Sequence, residues 1–328
     1  MRVLVLGGAG FLGRHVVAAL AARGHGVVIG SRDPKAALAL CRATPGRPAW
    51  RSVHCERLIK AGKWDAMLDD VDAVVNCVGI LRERGAATYE RVHHLAVAAL
   101  TADCARLAVR LIHVSALGLH AGASSRFISS KLRGEQALLD SSADVTIVRP
   151  SLLDGEGGYG ARWLRAVARW PVHCVPADAT GRIAVLAADD AGAAIAELCT
   201  KAGDEYREVE LGGTQWRTLE EHLAALRAAL PRPPAIVVRM PALLARLASH
   251  VCDLLHVSPF SFGHLELLRR DNVPRMNALP LLLDRPPCGV PSSAGVKGDR
   301  GASSARGRAI LPPNAVPDGG SRRSARAP

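Results

Sequence analysis

The chain has no run of eighteen uncharged apolar residues, no CxxC pair, no HxxxH pair and only three tyrosines, at 89, 159 and 206. Without such an apolar run, no membrane-spanning helix is expected. The eight cysteines, at 41, 55, 77, 104, 174, 199, 252 and 288, lie scattered, several inside segments that read as strands or helices. That spacing excludes a zinc framework and argues for reduced, mostly buried thiols. No metal site is expected, because the neighbours His93 and His94 point to different sides of a helix and no carboxylate pair completes a set. An apolar strand begins at residue 2, which leaves no room for a leader peptide and gives a cytoplasmic expectation, with a membrane-peripheral position left open.

Acid is also scarce relative to base. Lys and Arg number 42 against 30 Asp and Glu, a formal charge of +12. Nucleic acid is not the expected partner, however, because residues 291–328 alone hold seven Lys and Arg against two Asp, a net +5. This segment is rich in Gly, Ser, Ala and Pro with no hydrophobic period, so it reads as a disordered basic tail. The remaining 290 residues, in a chain that is 49% hydrophobic, suffice for one large core and a smaller appendage.

What is present begins at the N-terminus. Arg2-Val-Leu-Val-Leu6 runs into Gly7-Gly-Ala-Gly-Phe-Leu-Gly13 and then into Arg14–Arg23, a helix-like run that stops at Gly24. A short apolar strand, a glycine turn and a helix make a crossover in which backbone can approach a pyrophosphate and the helix directs free N–H groups at it. Gly7, Gly10, Phe11, Leu12 and Gly13 are therefore candidate cofactor residues. Strand and helix signals then alternate: strands at 27–29, 51–54, 73–78, 110–114 and 145–148, helices at 34–42, 59–68, 88–107 and 129–139. The class is α/β, a Rossmann-type doubly wound parallel sheet spanning 1–155, with a smaller α+β lobe on the substrate side over 156–290 that can share sheet strands. That lobe carries strand signals at 173–175, 182–185, 207–211 and 235–238, and helix signals at 190–200, 219–230, 241–255 and 264–270. The amphipathic run 241–255 is expected to pack on the lobe, the alternative being a membrane or partner surface.

Past the second strand the chain reads Gly30-Ser31-Arg32-Asp33-Pro34-Lys35. A carboxylate here would take the ribose hydroxyls of NAD, and a basic residue the extra phosphate of NADP. Ser31 stands where the acid is expected, Arg32 follows, and Asp33 before a proline suits a helix cap. NADP(H) is therefore favoured over NAD(H), with Arg32 as a solvated surface charge the alternative.

Taken in order, Gly7–Gly13, Val75-Asn-Cys-Val-Gly-Ile80, His113-Val-Ser-Ala-Leu-Gly118, Phe127-Ile-Ser-Ser-Lys131 with Gly134-Glu135, and Val148-Arg-Pro-Ser151 resemble an extended, atypical short-chain dehydrogenase/reductase. Over about residues 1 to 290 the resemblance is to the branch holding the nucleotide-binding accessory subunit of respiratory complex I and bacterial relatives of the NAD-dependent epimerase/dehydratase type. It implies a cofactor strip at Cys77, Val78 and Gly79, where residues 76–79 read otherwise as a buried strand stop, a further contact at Pro150, and a protein partner or membrane-associated complex. It also implies catalysis by a Ser, a Tyr and a Lys four residues after the Tyr. Ser115 and Lys131 match the first and last, and Phe127 stands in place of the Tyr. A phenyl ring has no proton to give, so a cofactor-binding structural or assembly protein is expected ahead of an active oxidoreductase or epimerase using Ser115, Lys131, water or Tyr159. Plainer roles stay open: a strand-end serine for Ser115, a surface lysine for Lys131, a loop aromatic for Tyr159.

Overall fold

The computed structural model describes residues 1–201, 205–255 and 260–290. The tail expectation at 291–328 lies outside them. The strands are β1 (Arg2–Leu6), β2 (Gly26–Ser31), β3 (Ala49–Ser52), β4 (Ala73–Asn76), β5 (Arg110–Val114), β6 (Val145–Pro150), β7 (Leu153–Asp154), β8 (Val172–Pro176), β9 (Leu186–Ala187), β10 (Glu208–Leu211) and β11 (Ile236–Met240). The helices are α1 (Phe11–Ala22), α2 (Pro34–Ala43), α3 (Asp65–Leu68), α4 (Ala96–Leu107), α5 (Arg126–Leu139), α6 (Tyr159–Ala168), α7 (Ala188–Leu198), α8 (Leu219–Ala228), α9 (Ala242–Leu255), α10 (Phe262–Leu268) and α11 (Leu279–Leu282).

Seven strands form a wholly parallel sheet in the order β10-β6-β5-β4-β1-β2-β3. Its central strands β1, β4 and β5 are buried along nearly their whole length and mostly apolar, because both faces are covered. One hydrophobic cluster packs α1 and α7 on one face through Val16, Leu20 and Ile195, and a second packs α4 on the other through Val97 and Leu100. A third, with Leu164, Val175 and Leu223, belongs to the smaller lobe, where β8 pairs with β11. The seventh sheet strand, β10, comes from beyond residue 155, so the C-terminal half contributes to the main sheet. Strand order reverses between β1 and β4, which places a crevice at their carboxyl ends.

Three local expectations change. No continuous helix covers 59–68; a 3₁₀ turn at Cys55–Arg57 and the short α3 replace it. The buried Asp103 carboxylate accepts the N–H of Gly62 at 2.7 Å and of Trp64 at 3.1 Å, bonds a helix would have made internally, and Gly62 has φ of +80°. At 182–185 Ile183 makes only isolated bridges, to Arg217 and Asn272. Finally, α9 forms as expected but buries only Ala245 and Ser249, leaving its leucines in solvent.

Candidate functional site: a dinucleotide cradle with a phenyl ring at its catalytic end

The site begins where β1 ends. Gly7 turns at φ +72° and its N–H donates to the Gly30 carbonyl at 2.9 Å, tying the turn to β2. A Cβ on Gly7 would stand 3.3 Å from the Cys77 carbonyl group, so the turn lies against the end of β4, at the strand-order reversal. The Gly10 N–H donates to Gly7 O at 2.8 Å, and α1 starts at Phe11 with no side-chain cap. A Cβ on Gly13 would sit 2.1 Å from Gly7 O, the tightest approach of helix to turn. This geometry leaves first-turn amides of Phe11, Leu12 and Gly13 without helical acceptors, the donor set an anionic diphosphate takes. Residues 155–158 close over the same place: a Cβ on Gly158 would meet the Phe11 ring at 2.8 Å, and one on Gly157 the Arg14 guanidinium at 2.7 Å. The expected boundary at 155/156 left most of this loop on the substrate side; its seat on the start of α1 had no local signature.

At the end of β2, Ser31 is buried and its Oγ accepts the Asp33 N–H at 3.1 Å. Asp33 caps α2, its Oδ1 accepting from Lys35 N at 2.9 Å and Ala36 N at 3.1 Å, so one of its two oxygens is spent on backbone. Arg32 is half out in solvent, and its guanidinium lies 4.0 Å from the Glu56 carboxylate. Glu56 escaped the sequence reading because it sits 24 residues further on, after β3. Burial opposes its charge, but its own backbone, His54 and Arg32 together hold it below the usual carboxylate range.

The strip after β4 is braced from beneath. Asn76 Oδ1 accepts the Val78 N–H at 3.1 Å and its Nδ2 lies 3.1 Å from His113 Nδ1. The Ile80 N–H donates to His93 Nε2 at 3.1 Å, and His93 Nδ1 lies 3.2 Å from Ser130 Oγ, whose hydroxyl donates to Phe127 O. Burial, reinforced by Lys131, pushes His113 down to about 3 and His93 well below its ordinary value. Both are neutral hydrogen-bonding braces. His93 lies in a π-helical segment, Glu90–Leu95, where Gly134 of α5 abuts its carbonyl so closely that a Cβ would lie 2.1 Å away.

Ser115 follows β5; its N–H donates to Val148 O at 2.7 Å, while its buried Oγ has no partner among the described residues. A buried hydroxyl without a partner loses its solvation uncompensated, so this atom points to a ligand. Pro150 ends β6 and its carbonyl accepts from Leu117. In α5, Lys131 is half-buried and its Nζ lies 5.8 Å from the Phe127 ring centroid. Burial lowers its ammonium to about 8, with Glu135 pulling the other way. Phe127 is buried and boxed by rings: Tyr89 at 5.7 Å, His93 at 5.5 Å and His264 at 5.5 Å between centroids. Tyr89 and His264, 38 residues before and 137 after Phe127, were beyond reach of the sequence motif. The Tyr89 hydroxyl is already spent on Leu81 O at 2.9 Å. Tyr159 opens α6, is exposed and makes no ring contact with Phe127.

Fold and site define an NAD(P)-binding protein of the short-chain dehydrogenase/reductase kind. Residues 7–176 match the family model described as NAD(P)H-binding, and the chain belongs to that family. It is 29% identical over 248 residues to a ceramide reductase of Caulobacter vibrioides, covering 73% of each chain. It is 27% identical over 290 residues to the mitochondrial NADH dehydrogenase (ubiquinone) 1 alpha subcomplex subunit 9 of Arabidopsis thaliana, covering 85% of this chain and 70% of that one. Among solved structures, a UDP-glucuronic acid 4-epimerase of Bacillus cereus superposes with a TM-score of 0.58 over 86% of this chain and 96% of its own, a likeness of fold at 16% identity. Among the described residues no helix is long and apolar enough to cross a membrane.

Proposed function

We propose that this chain binds NADP(H) in the cradle of Gly7, Gly10, Phe11, Leu12 and Gly13 and serves a partner assembly through the bound cofactor, without phenol-based proton transfer. The observation that carries this reading is Phe127, a buried ring in the tyrosine position, flanked by Tyr89, whose hydroxyl is spent on Leu81 O, and by His93, whose two ring nitrogens face Ile80 N and Ser130 Oγ. In this reading the first-turn amides of α1 hold the diphosphate, Cys77, Val78 and Gly79 with Pro150 line the dinucleotide, and Lys131 with Ser115 meets the nicotinamide ribose end. Arg32 meets the 2′-phosphate, and Asp33 is held on α2, where its Oδ1 caps the helix. The likeness to a subunit of a respiratory complex supports the assembly role. The test is NADPH binding measured beside NADPH oxidation with carbonyl and sugar-nucleotide substrates. Binding without turnover supports the reading, and brisk turnover by the native protein refutes it.

One observation favours a second reading, a working reductase. The unpartnered Ser115 hydroxyl and a Lys131 ammonium near 8 are groups that can position a carbonyl and give it a proton at neutral pH, and a relative is named a reductase. Lys131→Ala separates the two, since it abolishes turnover in a reductase and only weakens cofactor binding otherwise.

A further inference from the structure

Helix α9 is held to the molecule by one narrow side. Ala245 and Ser249 are buried, His250 stacks on Phe262 at 4.6 Å, and Asp253 pairs with Arg82 at 3.1 Å while accepting the Phe262 N–H at 3.0 Å. The opposite side carries Leu243, Leu244, Leu247, Val251 and Leu255, which at 100° per residue fall within an arc of about 120°. All five are exposed, Leu243 by 78% and Leu247 by 61%. A continuous leucine stripe in water is a contact surface on a folded protein.

Charge selects the occupant. From Ile236 to Leu255 the exposed charged residues are Arg239, which Glu220 of α8 pairs at 3.3 Å, and Arg246, whose guanidinium lies 5.3 Å from the Phe262 ring centroid; the acid of this stretch, Asp253, is turned inward to Arg82. Arg239 is 70% exposed. A second copy of this surface would bring Arg246 against Arg246 while the neighbouring Glu220 carboxylate is already taken by Arg239, and residues 291–328, themselves basic, offer no complement. Leucines flanked by arginines match the boundary of an anionic bilayer, where acyl chains take the former and phosphates the latter.

We propose that α9 is an interfacial docking helix that lays Leu243, Leu244, Leu247, Val251 and Leu255 into the surface of a membrane rich in anionic phospholipid, with Arg239 and Arg246 at headgroup level. The docking does not depend on a bound cofactor, so it stands apart from the proposed function.

The experiment is flotation of the full-length protein with phosphatidylglycerol–phosphatidylcholine vesicles and with phosphatidylcholine vesicles, at low and high salt. The native chain is expected to float with the anionic vesicles and less with the zwitterionic ones. Leu243→Glu with Leu247→Glu is expected to reduce partitioning by about tenfold or more, since two leucines leave the acyl region. Its melting temperature and NADPH affinity stay native, because both positions face solvent. A milder Leu243→Ala, Leu247→Ala pair moves the same way by a smaller factor. Unchanged flotation of the glutamate variant would assign vesicle binding to the basic residues 291–328 and overturn the proposal. So would no flotation of the native chain, or self-association in sedimentation that the same substitutions abolish.

Discussion

Gly13→Ala tests whether the cradle's shape, and no single side chain in it, confers cofactor binding. The new methyl would lie 2.1 Å from Gly7 O and 2.8 Å from both Gly7 C and Gly8 Cα, all backbone atoms. Ordinary contact begins near 3.4 Å, so helix and turn must part by roughly 1.3 Å. The turn cannot yield alone, because Gly7 is bonded to Gly30 and its carbonyl receives the Gly10 N–H. Overpacking of this kind costs about 1–3 kcal/mol, and alanine's helix propensity returns about 1 kcal/mol of it. The net loss is therefore up to about 2 kcal/mol, or up to about 8 °C in melting temperature at roughly 2–4 °C per kcal/mol. Binding suffers more than stability, because the displaced segment is the one that aims the α1 amides. NADPH affinity by calorimetry is expected to fall by about tenfold or more, the equivalent of 1.4 kcal/mol. Gly160→Ala is the control: an added Cβ there meets no atom within 4 Å, so affinity and melting temperature stay native. Native affinity in Gly13→Ala would refute the claim that this contact shapes the site.

Three further outcomes are expected. Arg32→Asp reduces or reverses the preference for NADPH over NADH, and equal affinities in the native protein would end the 2′-phosphate assignment. Lys131→Ala weakens NADPH by about 1–3 kcal/mol. With the Lys131 ammonium at about 8, affinity falls as pH rises through that value. For the same residue the folded pKa is depressed below the unfolded one, so between pH 8 and its ordinary value of 10.5 the unfolded chain binds more protons and Lys131's contribution to stability rises with pH. A cofactor affinity flat across pH 8, or one unaltered in Lys131→Ala, would remove Lys131 from the site. Phe127→Tyr places a phenol beside Lys131 and is expected to create slow NADPH-dependent turnover; an inert variant that still binds NADPH would show that the substrate pocket is gone as well.

The cradle was legible in the sequence because its requirements are local. Strand, glycine turn and helix follow one another within 22 residues, and the conformational demand falls on glycines, whose identity is unmistakable. The Asp33 cap was legible for the same reason, an acid before a helix-opening proline. What stayed hidden depends on chain returning from far away. Asp103 unmakes the helix expected at 59–68 from 41 residues off, Glu56 reaches Arg32 across β3, and Tyr89 and His264 close on Phe127 from opposite ends of the chain. For α9 the periodicity was right and the direction was not. An amphipathic pattern shows that a helix has an apolar face, but which side meets the protein was decided by Ala245 and Ser249, small enough for close approach, while the leucines face out.

The proposed cofactor cradle beside Phe127 is tested most directly by calorimetric titration of the native protein with NADPH, repeated with NADH. One NADPH per chain, bound more tightly than NADH, is the predicted result. No saturable heat with either nucleotide would contradict it.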